Sequence, residues 1–338
     1  MADQNRRLVL AERPSGMVDE GTVRVEVEDL PECGPGEAIA RVRYLSIDPT
    51  IRTWMDDAPG YLPPIGVGDV VRGAGVAEVV QSNCASYEPG QLLFGLTGWQ
   101  DYVIADERER ALTPLPAGVP PTTALGLFGI TGMTAYFGLL DVGAMGEGDV
   151  VVVSGAAGAT GSTVGQIARI KGAGQVVGIA GGPEKCAFIV DELGFDAAID
   201  YKAGDVAARL HELCPQGIDL YFDNVGGEHL QAAIGVLNPH GRVALCGSIS
   251  GYNATERPPG PNNLGLAVGK RLTLRGFIVF DHYDLAAEFS QTVGDWLRAG
   301  QLHVRETFAD GLDNAVSAFI GLLRGENTGK MIIRLAGE

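Results

Sequence analysis

The sequence predicts an α/β protein of two domains, a β-barrel-like first domain and a doubly wound, parallel-sheet second domain. Three observations carry that prediction. Residues 1 to about 115 read as short strands with many glycines and almost no helical period. From about residue 149 onward, continuous apolar strands alternate with helical segments, as in a parallel sheet covered on both faces. At the first of those strands a glycine run, Gly155, Gly158 and Gly161, stands between strand and helix. A length of 338 residues also exceeds the usual size of one hydrophobic core.

The elements follow in order. Residues 7–12 (RLVLAE), 22–28 (TVRVEVE) and 38–47 (AIARVRYLSI) alternate apolar and polar side chains, the two-residue period of half-buried strands. Residues 65–80 (IGVGDVVRGAGVAEVV) are β-rich, with glycines suited to bulges or barrel corners. The proline-rich run 113–121 (TPLPAGVPP) reads as a linker, and 122–140 as one long apolar, helix-compatible stretch. Strands are then expected at 149–153, 175–180, 197–200, 218–223, 241–246 and 272–277. Helices are expected at 162–171, 183–193, 205–213, 228–237 and 284–300. Residues 331–335 are strand-like and are expected to return to the first domain. The expected division is 1–125, completed by the tail 306–338, with 126–305 as the second domain.

Composition narrows the function classes. Twenty-five basic against 42 acidic side chains leave a net charge of −17, a surface that repels a phosphate backbone and argues against nucleic acid. No apolar run approaches the roughly 20 residues that span a bilayer. The first ten residues carry Asp3, Arg6 and Arg7 and no apolar signal core. Five scattered cysteines without C-x-x-C spacing fit free thiols in a reducing cytoplasm.

The run 150–165 (VVVVSGAAGATGSTVG) has the order of a pyrophosphate site. The small residues Gly155, Ala157, Gly158, Ala159, Thr160 and Gly161 let the backbone approach phosphates, and the helix start offers unpaired N–H groups. Its place after a buried strand, inside a βαβ unit, is the context that makes a glycine triplet a Rossmann dinucleotide signal. An NAD enzyme places an acid at the end of the next strand to hold the ribose 2′-hydroxyl. Here Gly181 and Gly182 leave that space open, and Lys185 follows within a turn, where it can pair with a 2′-phosphate. The expected cofactor is therefore NADPH. A solvated Lys185 on a helix's first turn is the alternative.

The first domain lacks the ligands of a zinc alcohol dehydrogenase. No histidine precedes His211, and only Cys33 and Cys84 are present there. Chemistry without a Lewis acid must rely on hydrogen-bond donors and the cofactor, which favours hydride addition to an activated C=C bond or a quinone.

Many separate motifs carry a family likeness: 45–49 (LSIDP), 154–161 (SGAAGATG), 164–171 (VGQIARIK), 178–185 (GIAGGPEK), 193–196 (LGFD), 222–227 (FDNVGG), 246–253 (CGSISGYN), 258–261 (PPGP), 276–279 (GFIV) and 325–330 (GENTGK). The chain resembles the zinc-independent medium-chain dehydrogenase/reductases, in the branch of prostaglandin/leukotriene reductases and bacterial curcumin reductase. The resemblance implies a GroES-like catalytic domain beside the Rossmann domain, a homodimer, and NADPH-dependent reduction of α,β-unsaturated ketones and aldehydes. By motif it implies 2′-phosphate contacts at Lys185 and Tyr201. It places Asn224 near the cofactor, puts Cys246, Gly247, Ser248, Ile249, Tyr252, Phe277, Ile278 and Val279 around the nicotinamide, and adds Asn327 from the tail. The family usually reads DPYMRGRM where residues 48–55 read DPTIRTWM, so Thr50 stands for a tyrosine and Trp54 for an arginine.

Each site residue has a plainer alternative. Tyr201 could cap the sheet edge, Asn224 could be a turn residue tolerant of left-handed geometry, and 277–279 could be core. Cys246 reads as a small buried hydrophobe, since no neighbouring cation lowers its pKa. Tyr61, in 60–64 (GYLPP), is either a substrate-facing lid residue or an exposed turn aromatic. The expected mechanism sends hydride to the substrate's β-carbon while Tyr252 hydrogen-bonds the carbonyl oxygen and stabilises the enolate. A quinone oxidoreductase and a non-catalytic NADPH-binding protein are the competing readings.

Overall fold

Three of the valines in Val150–Ser154 are fully buried, and this strand stands in the middle of a six-stranded sheet. The computed structural model describes residues 4–256 and 258–335, and the chain divides into two units, Met1–Gly126 with Glu306–Glu338, and Leu127–Arg305.

Among the described residues of the second unit, six strands form one sheet in the order Ala197–Asp200, Gln175–Ala180, Val150–Ser154, Ile218–Asp223, Leu237–Leu245, Thr273–Gly276. Every neighbouring pair is parallel. Successive side chains point to opposite faces, so each strand feeds two cores. Val151, Val153, Leu220 and Phe222 enter one, and Val152 and Tyr221 the other. The chain winds outward from Val150–Ser154, then crosses back to Ile218–Asp223. The switch in winding direction lies between the carboxyl ends of those two strands, where ligands bind in such sheets.

In the first unit, Glu37–Ile47 is the organising strand. It pairs along one side with Ala74–Ser82. Along the other it pairs with Tyr102–Asp106 through residues 37–41, and with the tail strand Lys330–Arg334 through residues 44–47. Register shifts at Ile39/Ala40 and Val42/Tyr44 bend it, which lets one strand serve two partners on the same edge. Glu306–Asp310 then pairs parallel to the tail strand. Trp99, fully buried, packs edge-on against Phe319 of the helix Ala315–Leu323, ring centres 5.6 Å apart.

Several elements depart from the sequence reading. The expected helix 122–140 is broken into Pro121–Leu125 and Ile130–Phe137, followed by a wide turn, Gly138–Val142. The Leu127 carbonyl sits so close to Gly132 that a Cβ there would lie 1.8 Å from it, which an uninterrupted helix would not require. Residues 183–193 likewise split, into Pro183–Ala187 and Phe188–Glu192. The strand expected within 65–80 begins only at Ala74, and that expected at 241–246 begins at Leu237. The strand Glu306–Asp310 and the helix Ala315–Leu323 carry no strong period and were not anticipated. No helix of the described residues is long and apolar enough to cross a membrane.

Candidate active site

The glycine turn is built for close approach. Gly155 has φ +60°, and a Cβ on Gly161 would lie 2.3 Å from the Gly155 carbonyl oxygen. The Ala156 N–H donates to the Ile179 carbonyl at 3.0 Å, tying the turn to the next strand. A Cβ on Gly158 would meet only the Gly155 oxygen within 4 Å, so a side chain there would project into the cradle that a pyrophosphate needs. Gly158 caps the helix Ala159–Ile170 without a side-chain bond, which leaves the first-turn N–H groups of Ala159, Thr160 and Gly161 for an anion. Ala157 is buried beneath the turn. The residues present fit a dinucleotide.

At the end of the neighbouring strand the space over Gly181 is not open, as the sequence suggested. The Tyr201 ring fills it, and a Cβ on Gly181 would lie 2.8–3.0 Å from three ring and hydroxyl atoms. An acid does stand nearby, but Asp200 Oδ1 accepts the backbone N–H groups of Gly182 (2.8 Å) and Lys202 (3.0 Å). Burial, reinforced by the neighbouring Lys202 cation, holds the Lys185 ammonium below the usual lysine pKa. The Lys202 ammonium lies 6.0 Å from the Tyr201 ring centre, and His229 meets that ring edge-on at 5.2 Å. Lys185, Lys202 and Tyr201 therefore cluster at the end of Gln175–Ala180, a set whose chemistry suits a doubly charged phosphate. Lys202 escaped the sequence reading because adjacency to Tyr201 alone does not show that it faces Lys185.

The loop after Ile218–Asp223 is clamped to the glycine turn. Asn224 donates its backbone N–H to Ser154 Oγ (2.9 Å) and its Nδ2 to the Ser154 carbonyl (2.7 Å). The next loop, after Leu237–Leu245, leans on this one, with Ile249 N–H on the Asn224 carbonyl (3.3 Å) and Ser250 Oγ on the Val225 carbonyl (2.6 Å). Within it the Ser248 N–H donates to the Tyr252 hydroxyl at 3.4 Å, and a Cβ on Gly247 would lie 3.2 Å from that oxygen. This bond occupies a lone pair of the phenol and not its proton. Cys246 packs on the core, and burial together with Asp223 pushes its thiol up to about 12, so it is no nucleophile at neutral pH. Phe277 packs over Gly138 and edge-on against Phe222, 6.4 Å between ring centres. Ile278 is half-buried, and the Val279 side chain is committed to the core, leaving only its backbone for a ligand.

Two predicted residues lie in the first unit. Tyr61, 46% exposed, bonds its hydroxyl to Thr50 Oγ1 at 2.6 Å and meets the Trp54 ring edge-on at 6.2 Å. With Pro59, Leu62 and Pro64 these aromatics line a cavity of about 180 Å³. Two of the positions that depart from the family pattern, 50 and 54, thus contact Tyr61. Asn327 donates Nδ2 to the Gly329 carbonyl at 2.8 Å, which braces the turn before the tail strand. Among the described residues no group of three or more His, Cys, Asp or Glu side chains is arranged to hold a metal ion.

Comparison with known proteins agrees over the full length. A family model described as the N-terminal domain of oxidoreductase matches residues 6–113, and one described as zinc-binding dehydrogenase matches 159–297. The NADPH-dependent curcumin reductase of Escherichia coli is 44% identical over 99% of this chain and 98% of its own. The NADP⁺-dependent 2-alkenal reductase of Nicotiana tabacum is 36% identical, over 99% of this chain and 98% of its own. The crystal structure of CurA from Vibrio vulnificus in complex with NADPH superposes with a TM-score of 0.93 at 44% identity, covering 98% of this chain and all of that one. The paired N-terminal and Rossmann architecture, the motifs and these full-length relatives agree, and the chain belongs to the zinc-independent medium-chain dehydrogenase/reductase family.

Proposed function

We propose that this chain is an NADPH-dependent reductase of the C=C double bond of α,β-unsaturated ketones and aldehydes. The observation that carries the reading is the rim at the carboxyl ends of the parallel sheet. There a phosphate turn, the Lys185–Lys202–Tyr201 cluster and the Tyr252 phenol follow one another along the loops. Full-length similarity to enzymes named for NADPH-dependent curcumin and 2-alkenal reduction supports it. In this reading residues 1–125 with 306–338 form the GroES-like catalytic domain and 126–305 bind the cofactor.

When bound, NADPH supplies a hydride for the substrate's β-carbon. The chain's own residues do the rest. Ala157, Ala159, Thr160 and Gly161 would offer backbone N–H groups to the pyrophosphate, while Gly155 and Gly158, whose N–H already donates to the Gly155 carbonyl, keep its approach free of side chains. Lys185 and Tyr201, over the glycine at 181 and joined by Lys202, hold the 2′-phosphate. Asn224, Cys246, Gly247, Ser248, Ile249, Phe277, Ile278 and the Val279 backbone would shape the nicotinamide surroundings. Tyr252 donates to the carbonyl oxygen as negative charge develops there, and a neutral phenol does this without first losing its proton.

The reading also includes a homodimer and a cytoplasmic setting. Thr273–Gly276 is an edge strand of the sheet, and the apolar side chains of Leu264, Leu266 and Val268 stand exposed close to it in sequence. All five cysteines are unpaired. The deciding assay follows NADPH oxidation with a panel of enones and quinones, with and without EDTA. Turnover of enones unaffected by EDTA is expected. Turnover of quinones alone, or tight NADPH binding with no turnover, would overturn the reading.

A further inference from the structure

We infer that Ser154 and Asp223 are positioning residues of the cofactor site, joining its three loops into one rigid rim. The inference rests on the NADPH reading above. Neither residue belongs to the glycine turn, the 2′-phosphate cluster or the nicotinamide set, and both are fully buried, at 0% and 1% exposure.

The connections run outward from Asp223. Its Oδ1 accepts four neutral donors: Ser154 Oγ (3.1 Å), the Tyr221 hydroxyl (3.0 Å), and the backbone N–H groups of Val225 (3.2 Å) and Gly226 (2.9 Å). Its backbone carbonyl accepts the N–H groups of Cys246 (2.9 Å) and Gly247 (3.0 Å). Ser154, the last residue before the glycine turn, takes both bonds from Asn224 already described. The carboxylate and the hydroxyl thus tie the end of Val150–Ser154, where the pyrophosphate turn begins, to the loop after Ile218–Asp223, and the Asp223 backbone carbonyl adds the start of the loop after Leu237–Leu245.

The cost of this arrangement argues for a purpose. A buried carboxylate facing only neutral donors pays a desolvation penalty. Asp223 Oδ2 has no hydrogen-bond partner among the described residues, and burial raises the group's pKa. A hydrophobic residue at a strand end would stabilise the sheet more cheaply. What it could not do is bond the N–H groups of Val225 and Gly226 where the chain enters two consecutive positive-φ glycines, Gly226 and Gly227, at φ +71° and +53°. The loops are also in contact, since a Cβ on Gly155 would lie 3.5 Å from the Asn224 Cβ. A loop at 224–227 that relaxes must therefore disturb the turn that receives the pyrophosphate.

The test compares Ser154→Ala, Asp223→Ala and Asp223→Asn by NADPH fluorescence titration, steady-state kinetics and thermal melting. Ser154→Ala should raise the NADPH Kd about three- to tenfold, the effect of one net hydrogen bond, with kcat at saturating NADPH within about twofold of wild type. Asp223→Ala should raise Kd more than tenfold. Asp223→Asn, which keeps an acceptor at the Oδ1 position, should recover most of that loss. A role in stability alone would lower Tm and leave the Kd of the folded protein unchanged. If Asp223→Ala does not fold, Ser154→Ala decides the matter. Folded variants that bind NADPH as wild type does would overturn this inference alone. Wild-type protein that binds no NADPH would overturn the cofactor reading and this inference with it.

Discussion

The Lys330 ammonium donates to Asp48 Oδ1 across 3.1 Å, linking the tail strand to the residue just past the end of Glu37–Ile47. Lys330 is only 3% exposed and also donates to the carbonyls of Ile47 (2.8 Å) and Met331 (3.1 Å). Asp48 in turn accepts the Ser46 hydroxyl. Two of the family motifs, LSIDP and GENTGK, therefore meet through one buried cation. Replacing Lys330 with Met should strand these acceptors and destabilise the protein by about 2–4 kcal/mol. That is at or below the usual cost of breaking a buried pair, because Asp48 keeps some water contact. A loss under about 1 kcal/mol in chemical denaturation would show that the pair is screened as a surface pair is.

Glu306 supplies a pH dependence in the same unit. Burial raises its pKa above the ordinary value of 4.5, against the smaller opposing effects of Thr122 and Lys330, and Oε1 is buried with no hydrogen-bond partner among the described residues. A carboxyl whose folded pKa is raised favours the fold while protonated. Its contribution is present below the unfolded value and is lost as pH rises through the folded one. Glu306→Gln should therefore melt above wild type at neutral pH, with the gap closing as pH falls toward 4.5. A gap that widens on acidification would reverse the assignment.

Lys185→Ala should weaken NADPH binding by roughly 1.5–3 kcal/mol, the range for a hydrogen bond to a charged group, and leave NADH nearly unchanged. Lys202→Ala should weaken NADPH in the same direction. Parallel titrations with both cofactors provide the check, and equal weakening of the two would remove the 2′-phosphate from this cluster.

Gly181→Asp installs the acid that an NAD enzyme carries at this strand end. Here it should lose NADPH affinity without gaining NADH, because the new Cβ would lie within 3.0 Å of the Tyr201 ring. The double variant with Tyr201→Ala should bind NADH better than Gly181→Asp alone. A single variant that switches cofactor cleanly would show that the ring yields at little cost.

Tyr252→Phe removes a donor and keeps the ring. If the phenol stabilises the enolate, kcat on an enone should fall roughly 10²–10³-fold while NADPH affinity holds. A kcat within about threefold of wild type, under roughly 0.7 kcal/mol, would transfer the oxyanion role elsewhere.

The legible part of this protein lies in short-range signals. Strand, glycine turn and helix at 150–165 could be read directly, because Gly155 and Gly161 answer steric demands set by residues a few positions away. The continuous apolar run at 150–153 pointed to the two-faced parallel sheet, since burial on both faces leaves no polar alternation. The missing histidines needed only counting. Other features depended on sequence distance or backbone detail. The Lys330–Asp48 bond spans 282 residues, and the Ser154–Asp223 bond 69. The split of 122–140 rests on one carbonyl pressed against Gly132. The space over Gly181 looked open because a glycine records only that a side chain is absent there, and the Tyr201 ring that fills it arrives from another strand. Periodicity and motif spacing were therefore set by local backbone geometry and burial. Which polar side chains would meet was decided only when the strand order brought the ends of distant segments side by side.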